Sequence, residues 1–174
     1  PLLLKASRAH YLQAIVEGLY LGAYKFTECK GESKPATECS IQITSAIENA
    51  AEVLAQAEAI AQGVTLTRNL VNRPGNWVNP VVMAEEAQKV AEAYNLEIEV
   101  LDEKEMAAKG MNAILAVGQG SKNPPRMITL KYNGAGDAPY TAFVGKGITF
   151  DSGGISIKPG DNMGEMKDDM AGAG

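Results

Sequence analysis

The sequence predicts an α/β protein in which a mostly parallel central sheet lies between two layers of helices, a three-layer αβα fold. Segments with apolar residues at helical spacing alternate along the chain with short runs of β-branched residues. Hydrophobic residues make up 45% of the 174 positions, enough to bury a core. Since ligands of such folds bind beyond the carboxyl ends of strands, the segments that follow strands are the first place to search for chemistry.

The first predicted helix is capped by Ser7 and ends near Gly22. A polar loop, Lys30–Thr37, then leads to an alternating run, Cys39–Ile43, that predicts a short strand. One face of the helix is apolar and is predicted to be buried; it carries Tyr11, Leu12, Ile15, Val16 and Leu19.

A longer helix is predicted next, because Ser45 and Glu48 have the spacing of a capping box. It ends in the segment Asn72–Asn76, where proline removes a backbone donor and glycine allows a turn. Its apolar stripe, with spacings of three and four residues, contains Ile47, Ala50, Leu54, Ala57, Ala61 and Val64.

The second half of the chain continues the alternation. Asn79 before Pro80 predicts a helix start, and Asn95 a left-handed helix end. Asp102 and Glu105 form another capping pair, at the start of a short helix that ends at Gly110. The predicted strands of this half are Leu96–Leu101, Ala113–Val117, Met127–Tyr132 and Tyr140–Val144.

Composition excludes several classes of function. The formal net charge of −5, without a cluster of Lys and Arg, argues against a nucleic-acid partner. No apolar run approaches the roughly 18 residues of a membrane span, so no membrane partner is expected. Cys29 and Cys39 have neither metal-site nor redox spacing, which favours unpaired thiols and a cytoplasmic location.

The segment from Val144 to the last residue is the most unusual part of the sequence, with charged residues set among glycines. Dinucleotide binding is disfavoured because Phe150 stands where the third glycine of that motif belongs, and the other phosphate loop fails because Gly147 follows Lys146. Asp151 and Asp169 could converge on a divalent metal. From spacing alone, surface ion pairs beside a glycine-rich turn remain an equal alternative.

A family resemblance adds to this interpretation. Val144–Ser156, Lys158-Pro159 and Met166–Met170 resemble the metal-site signature of the leucyl aminopeptidase family. Upstream segments of that family are similar to Glu17-Gly18, Leu21–Phe26 and Arg68–Asn76. The resemblance implies an enzyme that releases N-terminal residues, leucine-like ones preferred, by means of water activated by two divalent metal ions, Zn²⁺ or Mn²⁺.

The resemblance also implies a role for each site residue. Lys146 and Asp169 would bind one metal, Lys146 as a neutral amine, and Asp151 would bridge both metals. Lys158 would polarise the scissile carbonyl and stabilise the developing oxyanion. Met163 and Met166 are candidate residues of the substrate-pocket wall. Asp168 is the alternative to Asp169 as the metal ligand.

On this resemblance, residues 1–37 would be the end of an N-terminal domain with its linker helix, and residues 38–174 the first part of a truncated peptidase catalytic domain. The family's later Asn-Thr-Asp-Ala-Glu-Gly-Arg motif, which completes the site, does not occur in these residues. The chain alone is therefore expected to be inactive. The expected partners are peptide substrates and, in the intact family protein, five further copies in a hexamer. The alternative is a non-catalytic binding or assembly module that retains the fold.

Overall fold

A computed structural model describes residues 2–31 and 40–174, which divide into two compact units, residues 1–72 and 73–174. The domain boundary predicted between residues 37 and 38, most of the polar loop and Cys39 lie outside the described residues. No helix in the described ranges is long and apolar enough to cross a membrane.

The first unit contains a parallel pair of strands and two helices. Strand β1 (Leu2–Ala6) pairs with β2 (Ile41–Ser45), with Leu4 opposite Ile43. Helix α1 (Ala9–Ala23) and helix α2 (Ala50–Asn72) pack on each other. Their core consists of Ala6, Leu12, Val16, Val53 and Ala57.

Four predictions in this unit are wrong in detail, one of them the burial of Tyr11, which is 50% exposed. Ser7 does not cap α1, whose N-cap position is occupied by Arg8 without a side-chain hydrogen bond. The Ser45 hydroxyl instead donates to the Ala6 carbonyl and accepts from the Ile47 amide, because Ser45 is the last residue of β2; α2 therefore begins only at Ala50. The buried face of α2 includes Val53 rather than Leu54, which is 39% exposed.

The second unit contains an antiparallel pair and three helices. Helix α3 (Pro80–Tyr94) precedes strand β3 (Glu97–Leu101), which pairs with β4 (Met127–Lys131). Helices α4 (Glu103–Ala108) and α5 (Asn112–Gly118) lie between the two strands in sequence. Met83, Ala91, Leu101 and Met106 are buried here.

The helix ends in this unit follow the sequence closely. Asn79 caps α3 by accepting from the amides of Val81 and Val82, and Asn95 adopts the predicted left-handed conformation at φ 54°. The capping box of Asp102 and Glu105 is formed at the start of α4. These predictions are confirmed because each depends on local hydrogen bonds alone.

Two predicted strands are wrong. Residues 113–117 belong to α5, since a five-residue apolar run does not by itself distinguish a helix from a strand. Residues 140–144 form no strand in the described chain, and Phe143 and Val144 are almost fully exposed. A β-strand requires a neighbour to pair its backbone groups, and no described segment pairs with these residues.

Candidate metal centre

The site segment lies in the second unit and has little regular structure. Residues 145–162 form turns and extended loop, and a 3₁₀ helix, Met163–Asp168, follows them. Phe150 packs against Gly75: a β-carbon at Gly75 would lie 2.9 Å from Phe150 Cδ2. The turn that contains Gly75 thus fixes the position of Phe150, the residue before Asp151.

Two close backbone contacts fold the segment back on itself. A β-carbon at Gly145 would lie 2.0 Å from the Gly172 carbonyl oxygen, so the chain after the 3₁₀ helix passes directly over the residue before Lys146. Gly153 has φ 88°, a left-handed conformation that favours glycine, and a β-carbon there would lie 2.3 Å from the Ser156 carbonyl oxygen. Without side chains at these glycines, the ends of the segment can meet.

The folded segment brings four of the predicted residues together. Lys146 Nζ lies 2.9 Å from Asp169 Oδ1 and 4.0 Å from Asp151 Oδ2. Lys158 Nζ lies 3.3 Å from Asp151 Oδ2 and 3.5 Å from Asp169 Oδ2. Two amines and two carboxylates therefore alternate around one centre.

The two other predicted positions are placed differently. Met163 is half-buried at the start of the 3₁₀ helix, where its amide donates to the Gly160 carbonyl; its role as a pocket wall stays a prediction. Asp168 is exposed, whereas the neighbouring Asp169 points to the lysines with a side chain only 20% exposed. The structure therefore favours Asp169 over Asp168 as the inward-facing carboxylate.

The charges of the cluster reinforce one another. The hydrogen bond to Asp169, with the negative charges nearby, raises the pKa of Lys146 above its ordinary value. The Gly153 amide, which donates to Asp151 Oδ1 at 2.8 Å, and then Lys158 lower the pKa of Asp151. The Lys146 amine can bind a metal only after it loses its proton. A bound metal ion would therefore replace the ion pair between Lys146 and Asp169.

The donor set fits a divalent ion. Asp169 Oδ2 is buried and accepts no hydrogen bond, which is uncommon for a carboxylate oxygen. A bound cation would give this oxygen a partner. An amine with two carboxylates suits borderline ions such as Mn²⁺ and Zn²⁺. Among the described residues, no three His, Cys, Asp or Glu side chains converge so that they could hold a metal ion, so further donors would have to complete the coordination.

Sequence reasoning missed two elements of this arrangement. One is the contact between Gly145 and Gly172, which follows from the tertiary path of the chain and leaves no pattern in the sequence. The other is the Met166 thioether, which accepts a hydrogen bond from Lys158 Nζ at 2.9 Å; the sequence suggested only a pocket wall there.

Comparison with known proteins decides the family. The model of the cytosol aminopeptidase family, catalytic domain, matches residues 65–174. The chain belongs to the cytosol aminopeptidase family. The resemblance inferred from the Lys146–Met170 motifs is thereby confirmed.

Curated members of the cytosol aminopeptidase family are similar over most of this chain. A probable cytosol aminopeptidase of Geotalea uraniireducens is 46% identical over 172 residues, which are 95% of this chain and 35% of that protein. One from Roseiflexus castenholzii is 47% identical over 167 residues, 92% of this chain and 34% of that protein. The chain thus spans about a third of the length of these relatives.

Solved structures share the fold. A mutant of tomato leucine aminopeptidase has a TM-score of 0.80 at 33% identity, covering 99% of this chain and 36% of that one. The bottromycin maturation enzyme BotP, in complex with Mn, has a TM-score of 0.78 at 29% identity, covering 98% of this chain and 38% of that one. These matches confirm the predicted fold class, part of a three-layer αβα arrangement.

Proposed function

We propose that this chain supplies part of the active site of a metal-dependent aminopeptidase that releases leucine-like N-terminal residues from peptides. The observation that carries the proposal is the convergence of Lys146, Lys158, Asp151 and Asp169 around a buried carboxylate oxygen without a hydrogen-bond donor. Membership of the aminopeptidase family and the Mn complex of BotP support it.

Each residue has a role that its surroundings allow. Lys146, Asp151 and Asp169 would hold two divalent ions, Zn²⁺ or Mn²⁺. When bound, the metals supply Lewis acidity and lower the pKa of a coordinated water. Lys158 keeps an ammonium beside the two carboxylates, 34% exposed, so it can donate to a substrate carbonyl oxygen and stabilise the negative charge that develops there.

A structural cluster of ion pairs is the competing explanation. Ion pairs at a protein surface contribute little and do not require a buried oxygen without a donor. Asp169 Oδ2 is such an oxygen, although Lys158 Nζ lies 3.5 Å away. That oxygen forms an ion pair but accepts no hydrogen bond, so it can still accept a metal ion, which favours a cation site.

Metal binding tests the ligand assignment in a chimera that joins this chain to the rest of the Geotalea uraniireducens relative, because donors beyond the described residues would complete the coordination. The wild-type chimera is expected to bind Mn²⁺ in titration calorimetry, and Asp169→Asn is expected to weaken binding by about 100-fold or more, the upper end of the loss for groups that merely orient ligands. The matched control is Asp168→Asn, adjacent but exposed, which should change the affinity less than about threefold. No binding by the wild-type chimera, or equal losses in both variants, would exclude the assignment.

Activity is tested in a chimera in which this chain replaces the matching residues of the Geotalea uraniireducens relative, because the chain covers only about a third of it. The chimera should hydrolyse leucine p-nitroanilide with added Mn²⁺, whereas the chain alone should not. Lys158→Ala should lower turnover with Mn²⁺ affinity retained. An inactive chimera that binds Mn²⁺ and folds normally would favour the non-catalytic module.

Two further expectations accompany this proposal. The name of the relatives, cytosol aminopeptidase, supports the cytoplasmic location predicted from the cysteines. Hexamer formation is implied by the resemblance alone and stays a prediction.

A further inference from the structure

Met166 contacts three of the four clustered residues. Its thioether sulfur accepts from Lys158 Nζ at 2.9 Å, and its carbonyl oxygen faces the amides of Asp151 at 3.5 Å and Asp169 at 3.4 Å. The Asp169 contact is a normal feature of a 3₁₀ turn. The Asp151 contact joins two segments fifteen residues apart in sequence.

The thioether contact is the shortest of three that surround the Lys158 amine, the others being Asp151 Oδ2 at 3.3 Å and Asp169 Oδ2 at 3.5 Å. The three acceptors differ in one respect. The carboxylate oxygens would turn to metal ions in the loaded site, whereas the methionine sulfur is a weak, neutral acceptor that stays with the lysine.

A neutral acceptor has a consequence for the charge of the lysine. A carboxylate partner orients an ammonium and also cancels much of its field. A thioether orients the ammonium and leaves its charge available for a negatively charged oxygen, which is the property that oxyanion stabilisation requires. Lysine has a flexible four-carbon side chain, so a fixed acceptor also restricts where its amine points.

We propose that Met166 is a positioning residue that fixes the Lys158 ammonium beside the metal centre without neutralising it. The catalytic consequence of this positioning rests on the proposed function. The contact itself is a property of the chain's own side chains and is testable without turnover.

The first test is made on the 174-residue chain without metal, by NMR of the lysine ammonium groups. The Lys158 amine, assigned by its absence in Lys158→Ala, is expected to be ordered in wild type. In Met166→Leu, which keeps the volume and removes the acceptor, its order should fall below the wild-type value, although Asp151 and Asp169 still lie beside it. Met166→Gln, which restores a neutral acceptor, should recover it. Met170→Leu, at a fully buried methionine of the same segment, is the matched control.

The second test uses the active chimera. Losing one hydrogen bond that positions Lys158 is expected to lower kcat about 5- to 10-fold in Met166→Leu, with KM changed less than about twofold. Met166→Gln should restore part of kcat. Mn²⁺ affinity should remain within about twofold, because neither Met166 nor Lys158 is a proposed ligand.

The outcomes separate the two proposals. If the wild-type chimera binds Mn²⁺ but Met166→Leu leaves both the Lys158 signal and kcat unchanged, the positioning role is overturned and the proposed function stands. If the Lys158 signal responds as expected but the wild-type chimera does not bind Mn²⁺, the contact is supported and the proposed function fails. Should Met166→Leu not fold, Met166→norleucine exchanges only the sulfur for a methylene and gives the same comparison.

Discussion

Replacing Gly145 by alanine tests how the site is assembled. The new β-carbon would lie 2.0 Å from the Gly172 carbonyl oxygen, 2.5 Å from the Gly172 carbonyl carbon and 2.8 Å from Ala173 Cα. Non-bonded carbon contacts occur at about 3.5 Å, so one of the two backbone segments must move by about 1 Å or more. All three atoms belong to backbone, which cannot rotate out of the way.

This displacement acts on the metal site directly. Gly145 precedes Lys146, and the displaced segment follows Asp169, whose Oδ1 lies 2.9 Å from Lys146 Nζ. Metal ligands must keep their distances within about 0.2 Å, so a shift of about 1 Å is expected to weaken Mn²⁺ binding on the order of 10- to 100-fold.

The matched control is Gly147→Ala, on the other side of Lys146. Its β-carbon would meet only the Ala173 β-carbon, at 3.5 Å, an ordinary contact. Calorimetric titration of both variants with Mn²⁺ in the chimera, with thermal melting to verify folding, makes the comparison. Equal affinities for Gly145→Ala and wild type would refute the reasoning, as would an equal loss in Gly147→Ala.

Two further predictions concern the helix ends of the second unit. Asn79→Ala removes the acceptor for the amides of Val81 and Val82 and is expected to lower the free energy of unfolding by about 1 kcal/mol in urea titration, whereas Asn76→Ala, at an exposed position, should change it by less than about 0.5 kcal/mol. The amide of Glu105, above all, lowers the pKa of Asp102 below 3.8. Its folded pKa is therefore below its unfolded pKa, so the stabilisation is present above pH 3.8 and is lost as the pH falls below that value. The stability advantage of wild type over Asp102→Ala should thus shrink between pH 6 and pH 3; an advantage independent of pH would disprove the charge-dependent part of the cap.

The sequence predicted local features well. The caps at Asn79 and Asp102 and the left-handed Asn95 depend on residues within a few positions of one another, so their patterns are sufficient. Some features that depend on distant partners were predicted wrongly. Ser45 has the spacing of a capping box, but pairing with β1 makes it the end of a strand.

The site shows the same division. Residue types and spacing indicated only that Asp151 and Asp169 could converge on a metal, with surface ion pairs an equal alternative, and the family resemblance added Lys146 and Lys158. The structure places each of the two lysines within 4.0 Å of both carboxylates. The choice of Asp169 over Asp168 rested on resemblance and agrees with the direction of the side chain. The sulfur acceptor at Met166 could not be predicted, because methionine in an apolar context usually signals packing.

The most direct test of the account is anomalous diffraction at the manganese edge from crystals soaked in Mn²⁺. The account predicts a peak within about 2.0–2.3 Å of Lys146 Nζ and of oxygens from Asp151 and Asp169. A peak elsewhere, or no peak with the Lys146–Asp169 ion pair still intact at 2.9 Å, would contradict it.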